Sequence, residues 1–82
     1  MLNYTDPEKV WNIYKDAHSN SVVYIENLQT GIKAKAYIGD YGSLQVRYMN
    51  MYTPYIGSDI SIPVYIRDSA LCMLQYMKTL NS

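Results

Sequence analysis

The sequence is short of the residues from which catalytic and metal centres are usually built. It has one cysteine, Cys72, and one histidine, His18, among 82 residues. A lone thiol excludes an intrachain disulfide. One cysteine and one histidine also fall short of the four ligands of a structural zinc site. Small secreted domains usually lean on disulfides, so their absence points to a reducing, cytoplasmic setting. The four glycines, Gly31, Gly39, Gly42 and Gly57, stand apart from one another. They form neither a dinucleotide fingerprint nor a phosphate loop, so no cofactor is expected. No apolar run approaches the ~20 residues needed to cross a bilayer. The opening "MLNYTDPEKVW" lacks the basic-then-apolar order of a signal peptide. Seven basic and seven acidic side chains cancel, whereas a protein built to ride on phosphate backbones normally carries a basic excess.

What is present reads as one small α+β domain over residues 1–82. A chain of this size buries only roughly 60–65% of the surface its unfolded form exposes, which leaves little room for a deep cleft. In "YTDPEKVWNIYKDAHSN", Thr5 and Glu8 have capping-box spacing and Pro7 suits a first helical turn. Val10, Ile13, Tyr14 and Ala17 recur at helical spacing, with Trp11 on the shoulder, so a first helix is expected, ended by "HSNS".

Four strands should follow. "SVVYIENL" is rich in β-formers, and Thr30-Gly31 supplies a left-handed residue for a hairpin. "IKAKAYI" alternates, with Ile32, Ala34, Ala36 and Ile38 facing inward, and "GDYG" turns the chain again. "LQVRYMNMY" alternates too, Leu44, Val46 and Tyr48 inward. After "TPYIGSD", "ISIPVYI" reads as a strand with Ile60, Ile62, Val64 and Ile66 inward, and Pro63 puts it at a sheet edge. "RDSALCMLQYMKTLNS" closes as a helix capped by Asp68, with Ala70, Met73, Leu74, Met77 and Leu80 as its buried stripe. The expected architecture is a four-stranded antiparallel meander with N-terminal and C-terminal helices, in the order αββββα. Trp11, Ile13, Val46, Ile62, Val64, Leu74 and Met77 should lie in its core.

No constellation suggests an enzyme or a metal site. His18 at a helix end has a dipole role to play. Cys72, on an apolar helix, reads as a small buried hydrophobe. Capping and turn chemistry account for nearly all of the carboxylates. The outer sheet face is more informative, because the alternation places Tyr24, Glu26, Lys33, Lys35, Tyr37, Gln45, Arg47, Met49, Met51 and Tyr65 on it. Tyrosines interleaved with cations form a surface on which bases can stack. Met49 and Met51 run into a loop carrying Tyr52 and Tyr55, and tyrosine and methionine are enriched where proteins meet.

These features point to a non-catalytic protein-binding module. Its expected partner-binding residues are Met49, Met51, Tyr52, Tyr55, Lys33, Lys35, Tyr37 and Arg47, and its partner is another protein, a second copy of itself included. The alternatives are a nucleic-acid-binding module on the Lys33, Lys35, Tyr37 and Arg47 face, or a structural homodimer. With no cofactor motif in so short a chain, it resembles the small accessory proteins of phages and mobile elements. That resemblance implies stoichiometric inhibition of a host protein or defence complex.

Overall fold

The computed structural model describes residues 3–48 and 62–80, with the backbone alone at Tyr48. Five strands come first: β1 (Asn3–Thr5), β2 (Trp11–Lys15), β3 (Val23–Asn27), β4 (Lys33–Ile38) and β5 (Leu44–Tyr48). One helix, α1 (Val64–Leu80), follows. Each strand pairs antiparallel with the next, in the spatial order β1-β2-β3-β4-β5. The α+β class and the antiparallel meander hold. Among the described residues the strand count, the helix count and the element order differ from the sequence expectation: βββββα stands in place of αββββα.

The first correction concerns residues 5–17, which form no helix. Asp6, Pro7, Glu8 and Lys9 make a reverse turn in which the Lys9 amide donates to the Asp6 carbonyl at 3.0 Å. Asp at the first turn position and Pro at the second suit this geometry as well as they suit a helix start. The Asp6 carboxylate then accepts from the Val10 amide at 2.9 Å, and the Asp6 amide donates to the Trp11 carbonyl at 2.9 Å, closing the hairpin. Beyond the turn, Trp11 and Ile13 are buried, with Asn12 and Tyr14 half-buried on the opposite face. That is period two. Trp, Ile and Tyr are strand formers, and the pairing of β2 with β3 from Trp11↔Asn27 to Lys15↔Val23 outweighs the helical spacing of Val10, Ile13, Tyr14 and Ala17.

Lys9 completes this turn with a φ of 59°, in the left-handed region. A non-glycine residue there costs about 1–2 kcal/mol, whereas glycine enters freely but loses more backbone entropy on folding. Lys9→Gly is expected to stabilise the domain by up to about 1 kcal/mol, raising its melting temperature by roughly 4–8 °C. A thermal melt checks this.

The second correction concerns residues 62–66. Ile62 and Pro63 lie in no strand, and Val64, Tyr65 and Ile66 form the first turn of α1. The Pro63 carbonyl accepts from the Ile66 and Arg67 amides, each at 3.0 Å. Proline is at home here, since a helix start needs no N–H from it. Pro63 is therefore a helix-start residue and not the mark of an edge strand. Ile60 and Ser61, the rest of that expected strand, lie outside the described residues. Asp68 caps nothing and sits exposed within the helix.

The helix buries Ile66, Ala70, Met73, Leu74 and Met77. They pack on the inner sheet face, where Trp11, Ile13, Val23, Ile25, Ala34 and Ala36 are buried, with Ile62 beside them. Ala34 and Ala36 are small, which lets the helix lie close over β3 and β4. Of the expected core, Trp11, Ile13, Ile62, Leu74 and Met77 are buried and Val46 packs half-buried against the cluster. Val64 is corrected, because the helical start turns it out to 73% exposure. Each fully buried aliphatic side chain contributes ~1.5–3 kcal/mol.

Two turns match their sequence signals. Gly31, with φ 76°, donates to the Asn27 carbonyl at 2.8 Å between β3 and β4. Gly42, with φ 80°, donates to the Gly39 carbonyl at 3.0 Å between β4 and β5. Both need the left-handed conformation that glycine adopts without steric cost.

Candidate functional site

Because α1 covers one face of the sheet, the site is built on the other. Antiparallel register sets Asn3, Tyr14, Tyr24, Lys35 and Arg47 side by side in one row across all five strands. A neighbouring row holds Thr5, Asn12, Glu26 and Lys33. Tyr37 and Gln45 form a third.

Tyr14 and Tyr24 anchor the face. Their ring centroids lie 5.5 Å apart with the planes tilted by 37°, within the range of favourable aromatic pairs. The Lys33 ammonium sits 5.7 Å from each centroid, so a single cation serves both rings. The Tyr14 hydroxyl beside it holds the Lys33 pKa above the ordinary lysine value. The Tyr24 hydroxyl donates to the Asp16 carboxylate at 2.6 Å. That bond pushes the Tyr24 pKa up and the Asp16 pKa down. The other Asp16 oxygen accepts from the His18 amide at 2.9 Å, which shapes the loop between β2 and β3. The cluster is held in place before any partner arrives.

Lys35 and Arg47 have a different environment. They are direct cross-strand partners, and among the described residues neither forms an ion pair with a carboxylate. Glu26 is the partner of Lys33, one row away.

The structure thus brings Lys33, Lys35, Tyr37 and Arg47 together on one face, with Tyr24, Glu26 and Gln45 as expected. Tyr65 is corrected off that face. It lies in α1, and its hydroxyl donates to the Asp6 carboxylate at 3.1 Å. Met49, Met51, Tyr52 and Tyr55 lie outside the described residues. Tyr14, Asn12 and Asp16 are the members that sequence reasoning missed. The alternation of buried Trp11 and Ile13 with Asn12 and Tyr14 was the signal for the first two.

His18 stands exposed in the β2–β3 loop rather than at a helix end. Cys72 is an exposed thiol, not a buried hydrophobe, because the helical stripe buries Met73 and Leu74 and turns residue 72 outward. It lines a shallow groove of about 380 Å³ between β1 and α1 with Asn3, Tyr4, Asp68, Ser69 and Met73. Among the described residues no group of three or more His, Cys, Asp or Glu side chains gathers to hold a metal, and no helix is long and apolar enough to cross a membrane.

No protein-family model, curated protein or solved structure matches the chain.

Proposed function

We propose that this protein is a non-catalytic module that docks a partner protein on the sheet face opposite α1. One observation carries the reading: Tyr14, Tyr24 and Lys33 are locked against one another on the face that α1 leaves uncovered. Tyrosines held in this way offer large contact area with little conformational entropy left to lose on binding. Nucleic acid is the rival ligand for the same face. Base stacking needs a free ring face, whereas these two rings lean on each other and share Lys33. Three cations with Glu26 among them also give a weak phosphate term. The short chain without a cofactor motif resembles small accessory proteins that act one-to-one on a host protein, and on that resemblance the role we assign is stoichiometric inhibition.

The test has two stages. A partner captured from the host is purified, and its affinity is measured for the wild type and for Tyr14→Ala and Tyr24→Ala. Hot-spot aromatic residues typically cost roughly 2 kcal/mol or more on truncation, about thirtyfold in affinity. Each variant is therefore expected to bind about thirtyfold more weakly while still melting cooperatively. Unchanged affinity in both, with loss instead in Gln75→Ala or Tyr76→Ala on the helix, would move the docking surface off the sheet. Affinity that falls steeply with added salt would favour a nucleic-acid ligand.

A further inference from the structure

Within that docking reading, we infer that the partner presents an acidic protein segment, and that Lys35 and Arg47 receive its carboxylates. Like charges placed directly opposite on adjacent strands destabilise a sheet. Lys35 and Arg47 are so placed. Among the described residues no ion pair joins either of them to a carboxylate, and Glu26, one row away, stands directly opposite Lys33 instead. Lys33 is relieved by the two tyrosine rings. Among the described residues the Lys35–Arg47 pair is the cross-strand pair of like charges without a neutralising partner, and an incoming anion would relieve it.

The chemistry of the pair selects among anions. Arg47 is exposed at the β5 strand, and a guanidinium presents a planar fork that takes a carboxylate through two parallel hydrogen bonds. Lys35 beside it supplies a compact point charge. Glu26 and the rim carboxylate Asp16 flank the row at fixed positions. They repel a uniformly charged polymer such as a phosphate backbone, while a peptide can place neutral residues opposite them. The tyrosines of the same row lie next to Lys35 through Tyr24. They suit apolar or amide groups between the acidic side chains. An acidic peptide with uncharged residues interspersed fits the face better than a nucleic acid does.

Arg47→Glu separates this inference from ordinary structural roles, because it turns a repulsive pair into an attractive one. Its melting temperature is expected to rise by about 2–8 °C. Its affinity for a glutamate-rich peptide probe should fall about tenfold or more, and Lys35→Glu should behave alike. The same peptide with its glutamates replaced by serine should not bind the wild type. A fall in melting temperature in both variants, or unchanged affinity for the glutamate peptide, overturns the inference. So does tighter binding of a thymidine oligonucleotide of equal charge. If the captured partner depends on Tyr14 and Tyr24 but not on Arg47, the docking face stands and its acidic ligand falls. If it depends on none of them, both fall.

Discussion

Replacing Ile66 with alanine should cost about 2–5 kcal/mol of stability, the usual range for truncating a fully buried aliphatic side chain. Replacing Val64 should cost almost nothing. Ile66 is 0% exposed and Val64 is 73% exposed, although only one residue separates them. In a strand these two residues would share a face, and both truncations would hurt. In the helix they lie about 200° apart, and alanine at an exposed position is the better helix former. The difference is large for a small domain, since total stabilities run about 5–15 kcal/mol. Denaturant melts of Ile66→Ala and Val64→Ala measure it directly. Equal losses in both would mean that residues 62–66 are extended.

Asp6→Ala is the second large effect. The Asp6 side chain is 2% exposed, and its two oxygens have separate duties. One accepts from the Val10 amide at 2.9 Å, fixing the β1–β2 turn. The other accepts from the Tyr65 hydroxyl at 3.1 Å, tying that turn to the first turn of α1 across 59 residues of sequence. Alanine leaves both donors without this acceptor, and for the partly buried Val10 amide an unsatisfied polar group costs ≈ 1–3 kcal/mol. We expect a loss of about 1–3 kcal/mol for Asp6→Ala, from the bond to the Val10 amide, and a smaller loss for Tyr65→Phe, because Tyr65 is half exposed and water can serve its hydroxyl. The double variant should lose less than the sum, because both substitutions remove one shared bond. Strict additivity would show that the bond across the turn contributes nothing. Burial and the Asp6 carboxylate also hold the Tyr65 pKa above the ordinary tyrosine value. The Asp6→Ala variant should therefore bring its ionisation back toward that value, which an ultraviolet titration can follow.

The middle of the fold was legible because its punctuation has one reading. Gly31 and Gly42 sit where a hairpin needs a left-handed residue, and the runs between them alternate without a competing period. Lys33, Lys35, Tyr37 and Arg47 could therefore be placed on one face from sequence. The two ends were not legible in the same way, because each carries two periodicities. Asp6-Pro7-Glu8 opens a turn or a helix equally well, and Ile13 belongs to either stripe. The alternation of Trp11 and Ile13 with Asn12 and Tyr14 competes locally with the helical spacing, and long-range pairing with β3 decides between them. At the other end, Ile62, Val64 and Ile66 alternate, yet Ile62, Ile66, Ala70 and Met73 also recur at helical spacing. The longer helical pattern prevails. Tyr14 and Asp16 were lost from the candidate site with the first of these ambiguities, and Tyr65 was misassigned to it with the second.

The meander also has a consequence for how the chain acquires its shape. Every strand pair joins neighbours in sequence, so each hairpin closes a short loop and can form early and quickly. Among the described residues, α1 and Ile62 cover the apolar side of the resulting sheet. Ile13, Val23 and Ile25 lack that cover until α1, which follows them in the chain, is made and docks. During synthesis, a chain that has made the sheet but not yet α1 thus presents a sticky apolar platform. The Asp6–Tyr65 bond belongs among the final contacts to form.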